Sequence, residues 1–336
     1  MADFTRLSDD MLIDAIGLAV KMDDGTKRGR FGSYELKYED HYDLRSQNTQ
    51  SLLKFFVPDF TSFQVMNQPS SSDWLKHHRE HGQTFYDFLT SLRYSPDSVR
   101  HRIYIQPFSI DEELVPPDII TAIQSYAHIF FGMDVEVLIP ISLKGDVPER
   151  VNANSRTLQV NAFVVLNRLV KLVRTDAFCV AGVTLCDLYP QDDWNFVFGV
   201  ASSHTRCGVY SLARYLDNFG MQRTSIFKYT GDSTLLVRAC KTLCHELGHM
   251  FGLTHCVHFK CLMNGSNHVQ ELDSRPIFLC PVCLRKLHYS CDFDMAQRYK
   301  KMLNFWTTCG ARREVKWLRS RISYLEDGLG DCWHDG

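Results

Sequence analysis

A run of histidines and cysteines between residues 245 and 283 contains the residue types best suited to chemistry. His245 and His249 are four residues apart, so on a helix both imidazoles point to one side and can bind one metal ion. Glu246 follows the first histidine and can sit beside the metal as a general base for an activated water. Gly252 can take a left-handed conformation that ends the helix, which lets His255 supply a third nitrogen. The spacing predicts a catalytic zinc site with three histidines and an open fourth position.

Four cysteines follow in a C-x4-C pair and a C-x2-C pair, and these are Cys256, Cys261, Cys280 and Cys283. Paired spacings of this kind are typical of a structural zinc site that is closed to solvent. Two alternatives stay open: buried free thiols, and disulfides, which need an oxidising compartment. Three histidines could each replace a cysteine as a ligand, namely His258, His268 and His288.

The stretch HELGHMFGLTHC, followed by CLM and CPVC, resembles the archaemetzincins of the eukaryotic type, which are metzincin-type zinc peptidases with a second, cysteine-bound zinc. The similarity extends over roughly residues 55–310 and includes SSSDWL (70–75), RIYIQPF (102–108), DAFCVAGVTLCDLYPQDDWNFVFG (176–199) and LVRACKTLCHELGH (236–249). It implies that Met263 is the Met-turn residue beneath the zinc ligands. From the residues alone Met263 is a core methionine, and the two interpretations are compatible because the turn methionine is not a ligand. No tyrosine motif follows this methionine, and Tyr289 and Tyr299 match in residue type alone.

Composition limits the classes of protein to consider. A chain of 336 residues, 45% of them hydrophobic, can form one large or two modest domains. A net charge of −2 gives no electrostatic case for nucleic acid or an anionic membrane as a partner. We expect no membrane span, since no apolar run reaches about 18 residues, and no secretory signal. Most of the 12 cysteines fall between residues 240 and 309, so we expect a local metal centre and a reducing compartment, cytoplasmic or nuclear.

From residue 102 onward, strand and helix patterns alternate. The predicted strands are RIYIQPF (102–108), DVEVLIPI (134–141), DAFCVAGVTLCDLY (176–189), NFVFGVAS (195–202) and CGVYSLARY (207–215). The predicted helices are 116–132, 157–173 and 233–253, the last of which contains the histidine motif. This order predicts an α/β (α+β) fold with a mixed, mainly parallel sheet packed with helices. The metzincin resemblance implies that NFVFGVAS is an antiparallel edge strand lining the cleft, while its composition equally suits a buried strand.

The sequence predicts three parts. Residues 1–100 form a partly helical N-terminal extension, residues 101–310 a metzincin-like catalytic domain, and residues 311–336 a C-terminal tail whose end, GLGDCWHDG (328–336), is expected to fray. The four-cysteine loop 256–283 would staple a C-terminal subdomain of the catalytic domain with zinc. In the extension, DDMLIDAIGLAVKM (9–22) suits a helix and GTKRGRFGS (25–33) a linker. Ser72 or Asp73 could cap a helix through residues 73–81, whose HHREH cluster is assigned to a solvated helix face.

These features predict a zinc-dependent metallopeptidase with two Zn²⁺ per chain and a peptide or protein substrate. The resemblance implies aminopeptidase-like activity on short peptides, but no acidic residue stands out as a partner for a free amine, so exo- and endopeptidase activity both stay open. Two alternatives remain: a zinc-stabilised interaction module with little or no peptidase activity, which would have no need of Glu246, and a zinc hydrolase of a non-peptide amide. The sequence leaves the oligomeric state open.

Overall fold

The computed structural model describes residues 6–21, 34–38, 49–110, 113–217, 219–220 and 233–327. The predicted linker 25–33 and residues 328–336 of the predicted tail lie outside them. In chain order the elements are α1 (Asp9–Ile16), β1 (Leu18–Val20), β2 (Tyr34–Leu36), α2 (Thr49–Phe56), α3 (Trp74–His77), α4 (Phe85–Thr90), β3 (Arg102–Ser109), α5 (Pro117–Phe131), β4 (Asp134–Val137), β5 (Ile141–Ser142), β6 (Glu149–Val151), β7 (Leu158–Asn161), α6 (Ala162–Val170), β8 (Ala177–Thr184), β9 (Asp187–Tyr189), β10 (Gly199–Ser202), β11 (Cys207–Ser211), α7 (Ser233–Met250), α8 (Val269–Ser274), α9 (Pro281–Cys291), α10 (Met295–Thr308) and α11 (Arg312–Asp327).

Residues 92–252 form one compact unit, and residues 1–91 together with 253–336 form the other. This division differs from the predicted one because it joins the first 91 residues to the C-terminal part of the chain. Both helices and sheets are present, so the fold is a mixed α/β fold. None of the helices among the described residues is long and apolar enough to cross a membrane.

The unit of residues 92–252 is built on a sheet with the strand order β10-β11-β8-β3-β4, in which β5 also pairs with β3. All pairings are parallel except β10 with β11, which is antiparallel and leaves β10 at the edge. The mixed, mainly parallel sheet is therefore confirmed, and so is the antiparallel edge position within NFVFGVAS. Every residue of β8 is buried, as expected for a central parallel strand.

Helices cover both faces of this sheet because its side chains alternate between them. Cys207 and Val209 of β11 belong to the core that also includes Val165 and Leu169 of α6. Between them in sequence, Gly208 faces the other way, and a Cβ there would lie 2.5 Å from the Met250 Cε of α7. The small residue therefore allows α7 to pack closely on the sheet.

Several boundaries in this unit differ from prediction, and the predicted strands 134–141, 195–202 and 207–215 are shorter, as β4, β10 and β11. The predicted helix 157–173 begins as strand β7 and becomes helix α6 only at Ala162, because the Asn161 side chain accepts hydrogen bonds from the backbone N–H groups of Phe163 and Val164 and caps the helix there. The predicted strand 176–189 ends at Thr184, and its last residues form β9, which pairs with β7 in a separate three-stranded sheet. The predicted helix 233–253 ends at Met250.

The other unit is organised around α9, which contacts α1, α2 and α4. Arg285 of α9 is fully buried, and its guanidinium donates hydrogen bonds to the carbonyl oxygens of Ile16, Gly17 and Lys37. The N-terminal hairpin β1–β2 is thereby fixed to the helix that begins beside Cys280.

Two predictions in this unit are wrong. The helix expected through residues 73–81 is the single turn α3, because the Asp73 carboxylate accepts from the Ser70 N–H and makes no cap bond to the helix. The helix pattern of residues 9–22 ends at Ile16, because Gly17 takes a left-handed conformation there and strand β1 follows. In the predicted tail, α11 has a fully buried Arg321 that donates to the Phe55 carbonyl oxygen.

Candidate metal centres

The predicted pair of histidine ligands lies on α7 with its ring nitrogens close together. The Nε2 atoms of His245 and His249 are 3.1 Å apart, and the two rings are nearly perpendicular. Zinc–nitrogen bonds of ~2.0–2.1 Å would place two ligands of a tetrahedral site about 3.4 Å apart. The pair therefore has nearly the separation that a shared zinc ion needs.

Glu246 lies between these histidines in sequence and is 94% buried, since its exposed fraction is 6%. Its carboxylate lies against edge strand β10: a Cβ added at Gly199 would be 2.6 Å from Oε1 and 2.8 Å from Cδ. Glycine at position 199 is therefore required for the carboxylate to occupy its place. The contact puts the predicted base next to the edge strand on which an extended peptide could pair.

Gly252 adopts the predicted left-handed conformation, with φ +86°, directly after α7. The segment that follows is tied into a tight loop, in which the Cys256 N–H donates to the Met263 carbonyl oxygen at 2.8 Å. The buried Asn264 closes the same loop, since its side chain accepts from the Cys261 N–H and donates to the carbonyl oxygens of Cys256 and Phe259. The loop that follows His255 and contains Met263 is thus closed by backbone and amide bonds.

His255 makes a contact that the sequence did not predict. Its Nδ1 lies 2.8 Å from Glu80 Oε1, and the same carboxylate oxygen accepts from the Trp74 indole Nε1 at 2.9 Å. Burial alone would raise the pKa of the Glu80 carboxyl, but the bonds from His255 and Trp74 outweigh it and hold that pKa below its usual value. Glu80 is therefore a carboxylate partner of the predicted third ligand.

The four predicted cysteine ligands converge, with all Sγ atoms within 4.8 Å of one another and every residue buried. Cys256 Sγ and Cys280 Sγ are 3.7 Å apart. Zinc–sulfur bonds of ~2.3 Å separate two ligands of a tetrahedral site by about 3.8 Å. A disulfide would need ~2.05 Å, and the four residues are free thiols, so the disulfide alternative does not hold.

The surroundings of the cysteine cluster favour negative sulfur atoms that a cation neutralises. Cys261 Sγ accepts from the backbone N–H groups of Met263 and Cys280 at 3.5 and 3.2 Å. Hydrogen bonds with the neighbouring thiols hold the pKa of the Cys256 thiol well below its usual range, while burial and the same neighbours raise the pKa of the Cys280 thiol well above it. The protein alone thus favours one thiolate in the cluster, and ionising the whole set would need a cation, for which the residues fit zinc.

The three histidines considered as substitute ligands lie outside this group of four. His258 comes nearest, with Nδ1 3.8 Å from Cys256 Sγ. His268 accepts from the Glu271 N–H and caps α8. His288 is buried beside Phe56 and Phe293.

A third group of side chains with metal-binding atoms consists of Asp73, His268 and Glu271. Its carboxylates already serve the backbone: Asp73 accepts from the Ser70 N–H, and Glu271 accepts from the N–H groups of Trp74 and Asn267. These bonds give the group a structural role, and we assign it no metal.

Met263 is fully buried, and its carbonyl oxygen accepts a hydrogen bond from the Cys256 N–H. Tyr289 packs against Phe85 and Phe88, and Tyr299 stacks on Phe55. Both tyrosines are therefore accounted for by packing.

Comparison with known proteins identifies the family of this chain. The profile of peptidase family M54 matches residues 136–289. Archaemetzincin-2 of Rattus norvegicus is 39% identical over 274 residues, which cover 74% of this chain and 76% of the relative. Archaemetzincin-2 of Homo sapiens is 37% identical over 289 residues, 79% of this chain and 80% of the relative. The crystal structure of archaemetzincin from Archaeoglobus fulgidus, complexed with malonate, is 29% identical and covers 55% of this chain and 99% of its own, with a TM-score of 0.43.

The match to peptidase relatives places this chain in the class of zinc metallopeptidases, which hydrolyse peptide bonds, and its histidine and cysteine groups could hold metal ions. The extent of the match to its relatives is decisive for the family. The chain belongs to the archaemetzincins, peptidase family M54.

Proposed function

We propose that this chain hydrolyses peptides at a metzincin-type zinc site in which His245, His249 and His255 are the ligands and Glu246 is the general base. The observation that supports this most strongly is the geometry of α7. Two Nε2 atoms lie 3.1 Å apart, and the glutamate between them in sequence is buried against the edge strand. A core helix without a metal gains nothing from burying this charged residue beside two imidazoles.

Two observations support His255 as the third ligand: the turn of the chain at Gly252 and the tautomer of the His255 ring. Gly252 ends the helical path with φ +86°, three residues before His255. Nδ1 of His255 faces a carboxylate oxygen and therefore donates its proton, so Nε2 is the nitrogen with the lone pair that a metal requires.

The second proposed zinc is structural and bound by Cys256, Cys261, Cys280 and Cys283, which gives two Zn²⁺ per chain and staples the C-terminal part of the molecule. Four buried sulfurs that lie within 4.8 Å of one another suit a closed site. Because Cys256 follows His255 directly, this zinc would also hold the loop that presents the third catalytic ligand. Met263, bonded through its carbonyl oxygen to Cys256, would be the Met-turn residue of the same loop.

Each residue then has a chemical task. Zinc at the histidine site supplies a Lewis acid that lowers the pKa of water from 15.7 to about 7. Glu246 takes the proton of the attacking water and passes it to the departing amine nitrogen. Its burial in the angle between α7 and β10 limits its rotamers, so the carboxylate is oriented before substrate arrives. The histidines hold their nitrogens in place and transfer no proton.

The substrate is proposed to be a short, extended peptide. Among the described residues, β10 pairs with β11 along one edge and with no strand along the other, so a peptide could add there as a further strand. Gly199 brings that strand within van der Waals distance of Glu246, so a peptide bound along it would pass close to the base. Cleavage from the amino end, aminopeptidase-like, is the family-based part of this proposal.

The deciding experiment measures zinc content and cleavage of a mixed peptide library for wild type and Glu246→Gln. We expect two zinc ions per chain in both and cleavage by wild type alone. Two zinc ions with equal cleavage in both proteins would refute Glu246 as the base. Two zinc ions with no cleavage in either would favour a zinc-stabilised interaction module, and one or none would refute the assignment of ligands.

A further inference from the structure

We infer that Glu80 is a positioning residue for the catalytic zinc: it fixes the tautomer and the ring orientation of His255 so that Nε2 faces the metal. The inference rests on the proposed function. It adds a residue far from the metal-binding motif, in a segment that the sequence assigned to a solvated helix face.

The tautomer follows from the contact itself. Glu80 Oε1 is 2.8 Å from Nδ1 of His255, and an ionised carboxylate can only accept. Nδ1 must therefore be the protonated nitrogen, which leaves the lone pair on Nε2. A carboxylate behind a metal-binding imidazole also increases the basicity of the ring and restrains its rotation.

Glu80 is itself held in place, which distinguishes it from an ordinary ion pair at the surface. Trp74 Nε1 donates to the same Oε1 at 2.9 Å, and the indole meets the His255 ring edge-on at a centroid distance of 5.1 Å. The other side of the indole is stacked on His78 at 3.7 Å.

Trp74 has two further anchors. Its backbone N–H donates to Glu271 Oε1, and a Cβ at Gly265 would lie 2.4 Å from the indole. Glycine at position 265 thus permits the tryptophan to reach the carboxylate. The three-residue arrangement of Trp74, Glu80 and His255 is therefore fixed from both ends.

The segment after Glu80 is docked onto the loop of His255 as well. Lys286 Nζ donates to the carbonyl and side-chain oxygens of Gln83, whose Oε1 also accepts from the Thr254 N–H at 3.4 Å. Gly82, with φ +75°, fits against Val257, whose Cγ2 would lie 2.6 Å from a Cβ at this position. The backbone on each side of His255 is thus braced by residues 80–83.

The test measures Zn²⁺ affinity of the full-length protein by competition with a chromophoric chelator, and the visible spectrum after substitution with Co²⁺. Glu80→Ala should weaken the histidine site by about 10–100-fold, leave the cysteine site unchanged and alter the Co²⁺ bands of the histidine site. Glu80→Gln keeps an oxygen that can accept from Nδ1, so it should recover part of the affinity. Trp74→Phe keeps the ring but removes the donor and should show a smaller loss.

Asp87→Asn is the matched control. Asp87 is a nearby carboxylate that caps α4 through Thr84, so its loss should lower the melting temperature while both zinc affinities stay at the wild-type value. If Glu80→Ala binds zinc at the histidine site as tightly as wild type, or if Asp87→Asn weakens that site equally, the inference is wrong while the proposed function stands. If the wild-type protein binds no zinc at the histidines, the proposed function itself fails.

Discussion

Replacing Gly199 by alanine tests whether the position of the Glu246 carboxylate controls the reaction. The new Cβ would lie 2.6 Å from Oε1 and 2.8 Å from Cδ of Glu246. Carbon and oxygen atoms need about 3.2 Å, so the carboxylate must move by roughly 0.5 Å. The atom that gives way is the end of a flexible side chain, and alanine reduces the entropy of the unfolded strand, so the free energy of unfolding should change by less than about 1 kcal/mol.

The effect on catalysis should be much larger than the effect on stability. A misplacement of about 1 Å can cost about 100-fold in rate, so roughly 0.5 Å should lower kcat about tenfold, which corresponds to about 1.4 kcal/mol in activation free energy. Zinc content should stay at the wild-type value, because the histidines are not displaced. Steady-state kinetics on a peptide found in the library, together with zinc analysis and thermal unfolding, measure all three quantities.

Gly208→Ala is the control for this substitution. It lies on the partner strand β11, where a Cβ would meet Met250 Cε at 2.5 Å and the Val200 carbonyl oxygen at 3.2 Å. We expect it to lower the melting temperature more than Gly199→Ala does and to lower kcat less. A kcat for Gly199→Ala within twofold of wild type would refute the placement of the base against β10.

Three further predictions concern stability and metal content. Arg285→Leu removes three hydrogen bonds to the carbonyl oxygens of Ile16, Gly17 and Lys37. It should lower the free energy of unfolding, measured by urea titration, by about 3–5 kcal/mol, and Arg285→Lys should give an intermediate loss. A loss below about 1 kcal/mol for Arg285→Leu would contradict this prediction. His288 has its pKa lowered to about 4 by burial and then by Arg298, so the unfolded chain, with a histidine pKa of 6.5, binds the extra proton. The contribution of His288 to the free energy of unfolding is therefore complete above pH 6.5 and is lost as pH falls toward 4, by up to about 3 kcal/mol. The free energy of unfolding of His288→Phe should depend less steeply on pH over this range. Parallel pH curves for the variant and wild type would argue against this role. Cys283→Ser should leave at most one zinc per chain by elemental analysis and lower the melting temperature, since a structural zinc stabilises the fold directly; retention of two zinc ions would exclude this ligand.

The grouping of the candidate metal ligands could be predicted because their geometry is mostly local. His245 and His249 are one helical turn apart, and Gly252 adopts the left-handed conformation that a residue without a side chain favours. The C-x4-C and C-x2-C spacings of the cysteines are typical of structural zinc sites. Parallel strands that alternate with helices likewise specify a covered sheet, and the structure has one.

What the sequence did not reveal depends on contacts between distant residues. Glu80 and His255 are 175 positions apart, and nothing in HHREH distinguishes a carboxylate that faces a ligand from one that faces water. Asn264 looks like an ordinary loop residue until its amide is seen to close the loop of Cys256. The boundary between β7 and α6 had a local signal, Asn161 as a helix cap, but the apolar pattern on either side of it was continuous.

The bonds of Arg285 to Ile16 and Gly17 have a consequence for how the molecule is made. They join residues 269 and 268 positions apart, and the whole unit of residues 92–252 is inserted between the two partners. At a translation rate of about 5–20 residues per second, α1 emerges from the ribosome roughly 13–54 s before the arginine that secures it. During that interval Leu12, Ile13 and Ile16 lack the packing of α1 against α9. The apolar face of α1 and the cysteine cluster can therefore reach their final packing only after the unit of residues 92–252 has been synthesised.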